Sequence, residues 1–356
     1  MRAGYLSRPF AEVEPIIDLG LGEVRLGLEP REAPAHGTRY APPEGFTALR
    51  TAIGARHGVP LEHVTITTGA SMALSATLAS LQRPASVLVP RPYFPAYPAV
   101  LDILGMTPLF YPVSSGATSL TVADLTALLR ADTRAIVINF PGNPLGNVTD
   151  AGTLAAIAEF AAGHDLIVIS DEVYADFVYD AEAAVIPANR QARTVHIRSF
   201  SKVFGMPGDR LGYAVSSPEL TERITRMHWQ LAMCAPAPAQ VRAAQLLLAD
   251  LKGSSAQRRA TLMRNRDKAV AFLSEAGIQV ALPQAGVFLW LQLETSAGDS
   301  RALAQRCLRD AGVVVAAGAD FGVGAPVCLR VSFAVEPDDL MEGVRRLAGV
   351  LCATAA

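Results

Sequence analysis

Short runs of apolar, β-branched residues recur along the first two thirds of the chain: Val64–Thr67, Val87–Val89, Ala135–Ile138, Leu166–Ile169, Val195–Ile197 and Leu211–Val215. None has a charged face, the pattern of a strand covered on both sides. Between them, apolar positions fall at helical spacing over Ala70–Leu81, Val122–Leu129 and Ala151–Ala161. Thr121, with Asp124 three residues on, has the spacing of a helix N-cap. Alternation of strand and helix predicts an α/β fold around a mostly parallel sheet.

After Ser217 the pattern changes. Longer helical periods follow over Glu219–Leu231, Ala239–Leu251 and Arg258–Leu273, with Ala235–Ala239 as a helix-to-helix joint. Short strands at Val287–Leu291, Val313–Val315 and Val327–Ser332 then lead to a last helix, Pro337–Leu351. Pro337 suits a first helical position, where its missing N–H would have no partner anyway. This predicts a smaller α+β domain, with the N-terminal segment folding back onto it. The division expected is a large domain over 36–240 and a small one built from 1–35 and 241–356. There is no internal repeat and no low-complexity tract.

Composition narrows the function. Of 356 residues, 51% are hydrophobic and 18% charged, enough to bury a sizeable core and too apolar for a disordered chain. Thirty-one basic against 33 acidic residues, a net charge of −2, give no concentrated positive field for a nucleic acid partner. No apolar run reaches signal-peptide or membrane-span length, so the expectation is a cytoplasmic protein with no membrane partner. Cys234, Cys307, Cys328 and Cys352 are far apart in apolar surroundings and read as reduced, mostly buried thiols. The six histidines show no ligand spacing, so no metal is expected, and His164 reads as structural.

The chemistry concentrates in Ser199-Phe-Ser-Lys202-Val-Phe-Gly-Met-Pro-Gly-Asp-Arg210-Leu-Gly212. Burial lowers a lysine's pKa, and a neutral amine can form a Schiff base. Ser199 and Arg210 offer a hydroxyl and a planar cationic fork, the groups a phosphate dianion needs.

This segment resembles the signature of the fold-type I, pyridoxal-phosphate-dependent aminotransferases of class I/II, with an arginine eight residues past the lysine. Other stretches resemble the family's motifs in its order. Thr68-Gly69-Ala70-Ser71 resembles the phosphate-cradling loop. Pro92-Tyr-Phe94-Pro-Ala-Tyr97 is similar to the segment whose ring, here Phe94, stacks on the pyridine. Asn139-Phe-Pro-Gly-Asn143-Pro-Leu-Gly146 resembles the turn whose asparagine, Asn143, bonds the cofactor's phenolic oxygen. Asp171-Glu-Val-Tyr174 resembles the strand end that supplies a carboxylate to the ring nitrogen and a second phenolic-oxygen partner. Arg330-Val-Ser-Phe-Ala is similar to the segment whose arginine grips the substrate's α-carboxylate. Near the N-terminus, Gly22 falls in a segment resembling the one that lines that carboxylate. Arg39-Tyr40 resembles the stretch whose tyrosine reaches the phosphate of the neighbouring subunit.

The resemblance implies a large domain with a seven-stranded sheet between helices, a small α+β domain, pyridoxal 5′-phosphate as cofactor and a homodimer. It implies a Schiff base at Lys202, with Lys202, Asp171 and Tyr174 catalytic. Gly69, Ala70, Ser71, Phe94, Asn143, Ser199, Ser201, Arg210 and Tyr40 would join Asp171, Tyr174 and Lys202 in binding cofactor, and Gly22, Asn143 and Arg330 would bind substrate. The activity implied is transfer of an amino group between an α-amino acid and a 2-oxo acid. A lyase, cyclase, replacement or oxidation reaction on the same cofactor stays open as the alternative. A third reading, a ligand-sensing module of a transcription regulator, would need a DNA-binding segment ahead of motifs that begin within the first 22 residues. The chain departs from the pattern at Leu145, where a threonine is usual. It departs again at Asp209, an anion beside Arg210 that would oppose a phosphate unless a cation compensates. The position near Leu231 lacks the arginine of dicarboxylate-specific relatives, which argues against an aspartate or glutamate specialist.

Overall fold

The computed structural model describes residues 17–20, 40–114, 120–179, 193–250, 254–293 and 299–355. Strand β1 (Ile17–Asp18) is followed by α1 (Thr47–His57), β2 (Val64–Thr67), α2 (Ala70–Ala79), β3 (Ser86–Arg91), α3 (Ala96–Ile103) and β4 (Thr107–Pro112). Next come α4 (Val122–Thr126), β5 (Thr133–Asn139), α5 (Ala151–Gly163), β6 (Ile167–Asp171), β7 (Thr194–Ser199), the four-residue α6 (Phe200–Val203) and β8 (Gly212–Val215).

Seven of these strands form one sheet in the order β2-β8-β7-β6-β5-β3-β4. Neighbours are parallel except at β8, which runs against both β2 and β7. Adjacent residues on a strand feed two different cores. Val87, Val89, Val137 and Ile169 pack on one face with α2, whereas Leu88, Ile136, Ile138 and Val168 pack on the other with α5. That two-sided burial explains the uninterrupted apolar runs, and each such side chain contributes about 1.5–3 kcal/mol.

The large domain is completed by a smaller one. Helix α7 (Pro218–Ala232) still packs on the large sheet, its Leu220 and Ile224 sharing a core with α2, and after it come α8 (Ala237–Asp250), α9 (Ser254–Glu275), β9 (Phe288–Leu293), α10 (Ser300–Ala311), β10 (Val313–Val314), β11 (Ala316–Ala317), β12 (Val327–Ser332) and α11 (Pro337–Ala355). Strands β11, β12 and β9 make an antiparallel sheet. Strand β1 pairs in parallel with β10, so the N-terminal segment does fold back here. Helix α8 spans residue 240, the expected boundary between the domains.

Local signals account for most boundaries. The Thr121–Asp124 pair is a full capping box, Asp150 caps α5 through Thr153 N at 2.8 Å, and Ser217 caps α7 with Pro218 in its first turn. Three sequence expectations are corrected. The α-helix over Val122–Leu129 stops at Thr126, and the strand at Val313–Val315 ends at Val314, with a separate strand starting at Ala316. Burial holds for Cys307 and Cys328, but Cys234 is half-buried and Cys352 exposed. All four thiols are free, as expected.

Candidate active site

Register brings the motifs to one edge of the large sheet. Asn139 lies opposite Asp171, at the C-terminal ends of β5 and β6, and Thr67 and Ser199 both lie opposite Gly212. The carboxyl edge of an open α/β sheet is where such folds bind ligands, because the loops diverge there and leave a crevice.

One end of this edge is built for an anion. Gly69, at φ +80°, caps α2, with its N–H bonded to Thr67 O at 2.8 Å. The φ of +80° is one that residues with a Cβ rarely adopt, and a Cβ there would also lie 2.8 Å from Arg210 Nη2, so glycine suits the close approach of the guanidinium. A Cβ on Gly212 would meet Ala70 N at 2.5 Å, which fixes glycine beneath the loop as well. Ala70 and Ser71 occupy the first turn of α2, where N–H groups have no acceptor within the helix and the helix dipole favours negative charge. Ser199 caps α6, its Oγ accepting from Ser201 N at 3.0 Å, and the half-buried Lys202 follows one residue further on. Asp209 is held at 2.9 Å by Arg242 from α8, which supplies the compensating cation.

The other end holds a carboxylate. Asp171 Oδ2 accepts a 2.6 Å bond from the Tyr97 hydroxyl, and Oδ1 accepts from Val173 N at 3.2 Å. Burial pushes the Asp171 carboxyl up to about 6, against the lowering effect of those two bonds. Phe94 meets Tyr97 edge-to-face at 5.7 Å. Tyr174 is buried, with its ring edge-to-face on Phe288.

Arg330, from β12, joins the two domains. Its guanidinium lies 3.9 Å from the Phe288 ring centre and 4.7 Å from that of Phe321. Nη1 donates to Asn143 Oδ1 at 2.9 Å and Nη2 to Gly20 O at 2.8 Å. Asn143 N donates in turn to Asn139 Oδ1 at 2.8 Å, and Asn139 Nδ2 to the Asp171 carbonyl at 3.0 Å. One hydrogen-bonded chain thus runs from Arg330 to Asp171. An arginine can only donate, so Asn143 must present its oxygen to Arg330, leaving its Nδ2 as a donor. Tyr40 stands 77% exposed, not packed into its own chain. Gly22 lies outside the described residues.

The family description "Aminotransferase class I and II" matches residues 16–347. An arginine–pyruvate transaminase of Pseudomonas aeruginosa is 33% identical over 90% of this chain and 83% of its own. Aromatic-amino-acid aminotransferase 2 of Thermococcus litoralis is 30% identical over 95% and 92%. The crystal structure of an aromatic aminotransferase from Pyrococcus horikoshii superposes with a TM-score of 0.85 at 29% identity, covering 95% of this chain and 96% of that one. The chain belongs to the class I and II aminotransferase family.

As a member of this family, of fold type I, it is a pyridoxal-phosphate-dependent type of enzyme, and the donor set fits that cofactor. An anion cradle with a guanidinium lies at one end, a carboxylate for a protonated ring nitrogen at the other, and a lysine on the same edge. The structure also explains an aminotransferase turn without its threonine. Leu145 is buried against Trp290 and Phe321, and Gly146 O accepts Ala285 N at 2.9 Å. The small domain clamps the turn from outside. Four contributors had no assigned role in the sequence: Tyr97, Asn139, Gly212 and Arg242. The first three lie inside the quoted motifs, where a buried polar residue or a glycine at a strand end was the available signal. Nothing in the sequence marks Arg242.

Proposed function

We propose that the protein is an aminotransferase that moves an amino group between an α-amino acid and a 2-oxo acid. The observation that carries this is the chain Arg330–Asn143–Asn139–Asp171, which ties a carboxylate anchor to a ring-nitrogen anchor in one rigid frame. Bound pyridoxal phosphate supplies an electron sink for the charge left when an amino acid loses its Cα proton. Gly69, Ala70, Ser71, Ser199, Ser201 and Arg210 would hold the phosphate by N–H, hydroxyl and guanidinium donors. Phe94 would cover one ring face, and Asp171 would keep the ring nitrogen protonated by opposite charge. Asn143 and Tyr174 would donate to the phenolic oxygen. Lys202 would hold the cofactor through its amine and, with that amine free, would accept and return the Cα proton as general base. Arg330, with Gly22 close by in sequence to its Gly20 partner, binds the α-carboxylate and so orients the Cα–H bond toward Lys202.

The named relatives act on an arginine–pyruvate pair and on aromatic amino acids, and the proposal takes from them only the shared α-amino acid. The functional unit proposed is a homodimer of two-domain chains, large domain 36–240 and small domain 1–35 with 241–356, in the cytoplasm. The exposure of Tyr40 supports a role at a neighbouring subunit's phosphate.

A half-reaction screen tests the activity. Each amino acid is mixed with the cofactor-loaded protein while the cofactor's absorbance is followed. The expected result is conversion to the pyridoxamine form with one 2-oxo acid released per site, reversed by adding a 2-oxo acid. Turnover that releases ammonia, carbon dioxide or a side-chain fragment, with the pyridoxamine form never accumulating, would replace transamination with another reaction on the same cofactor.

A further inference from the structure

His228 lies on α7, outside every motif with an assigned role, and is fully buried. Its Nε2 is 3.2 Å from Thr68 N and 3.2 Å from Thr68 Oγ1. A main-chain N–H can only donate, so Nε2 is the unprotonated nitrogen and the ring proton sits on Nδ1. Burial lowers the imidazole's pKa, the direction that accepting the Thr68 N–H calls for, with a backbone contribution from Pro43 acting the other way. Among the described residues Nδ1 makes no hydrogen bond of good geometry. The backbone bond that Nε2 accepts is spent on the loop.

We propose that His228 is a positioning residue for the phosphate loop: by accepting the Thr68 N–H it holds Thr68–Ser71 in the shape that presents free N–H groups to an anion. The inference rests on the cofactor reading above. The donors between β2 and α2 can be followed one by one. Thr68 N–H goes to His228, Gly69 N–H to Thr67 O at 2.8 Å, and Met72 N–H to Gly69 O at 3.2 Å. Ala70 and Ser71 remain, in the first turn of α2 beside Gly69 and Arg210. Without an acceptor at His228, Thr68 N–H would have to find another, and the turn that aims Ala70 and Ser71 would rotate with it. Helix α7 is placed to act as a splint. One turn earlier, Thr225 Oγ1 donates to Thr65 Oγ1 on β2 at 2.8 Å, so the same face of α7 grips both the strand and the loop that leaves it.

The test compares pyridoxal phosphate with pyridoxal, which can react with the same lysine and lacks only the phosphate. Dissociation constants for both are measured on cofactor-free wild type and on His228→Leu, His228→Gln and His228→Asn. Glutamine can place an oxygen near the Nε2 position, whereas asparagine is too short. His228→Leu and His228→Asn should weaken pyridoxal phosphate roughly tenfold, the loss expected from one unsatisfied N–H, while leaving pyridoxal unchanged. His228→Gln should recover most of that loss. Equal loss for both ligands, or no advantage of glutamine over asparagine, would reduce His228 to a core residue and overturn the inference. Should the variants not fold, the ¹⁵N shift of the wild-type imidazole decides, since a protonated Nε2 cannot accept the Thr68 N–H. A wild type that binds pyridoxal but not its phosphate sinks the loop assignment. One that binds neither brings down the cofactor reading itself.

Discussion

Asp171 shows how much chemistry one half-buried carboxyl carries. With its folded pKa raised from 3.8 to about 6, the stability it contributes is fully present below about pH 4 and lost as pH rises through 6. Cofactor-free wild type should therefore lose stability relative to Asp171→Asn across that window, by at most roughly 3 kcal/mol. Urea melts of both chains from pH 4 to 7 measure it, and a constant gap would contradict the raised pKa. Tyr97→Phe removes a bond that lowers this pKa, so the same midpoint should move to higher pH. The two site arginines should separate cleanly. Arg210→Ala should weaken cofactor retention roughly 10–100-fold, while Arg330→Ala keeps cofactor bound and raises KM for amino acids by a similar factor. Equilibrium dialysis and steady-state kinetics distinguish these, and an exchanged pattern would mean exchanged roles.

At the scale of elements, the turn from β2 to α2 works because neighbours complete it. Helix α8 neutralises Asp209 through Arg242, a pair that is only partly exposed. Arg242→Ala should lower affinity for pyridoxal phosphate about two- to fivefold, and adding Asp209→Asn should restore it, since the loss comes from an unpaired anion near Arg210. No recovery in the double variant would place the loss elsewhere. Elements with strong local signals were legible: β2, β5, β6, β7, α5 and α11 fall within a few residues of their sequence positions. Strand β4 was hidden by Pro108 and Pro112, neither of which has an N–H to give to a ladder. It lies at the sheet's edge, where a missing N–H costs no ladder bond. Helices α1, α3 and α10 were missed because short amphipathic stretches owe their stability to packing more than to propensity.

Across the whole molecule, a buried charge network braces the strands beneath the site. Glu172 accepts from Arg198 Nε at 2.9 Å, bonds His196 Nδ1 at 2.7 Å and accepts from Ser170 at 2.9 Å. Arg198 continues to Asp176, which Arg56 of α1 also grips. Burial alone would raise the Glu172 carboxyl, but His196 and Arg198 outweigh it and hold it at about 2. Its stabilisation is present above about pH 4.5 and lost as pH falls through 2. Glu172→Ala should cost about 3–5 kcal/mol in urea denaturation at neutral pH, because it removes the buried carboxylate shared by Arg198 and His196, and Glu172→Gln should cost less. Equal costs would show that packing, not charge, decides. For the proposed dimer, light scattering should show a two-chain particle. Mixing inactive Tyr40→Phe chains with inactive Lys202→Ala chains should restore activity, since one site of each mixed dimer carries neither defect. A dimer that stays inactive on mixing would remove Tyr40 from the neighbouring site.

What the sequence by itself determined is local and ordered. Runs of β-branched residues specify strands covered on both faces, glycines and caps specify where they turn, and the site's groups appear in a recognisable order along the chain. Which group meets which was decided only by the tertiary structure. Tyr97 reaches Asp171 across 74 positions, His228 reaches Thr68 across 160, and Arg330 reaches Asn143 across 187. Strand order and register set those meetings, and both depend on pairings between distant segments whose free energy is gained only when the cores on the two faces of the sheet close together.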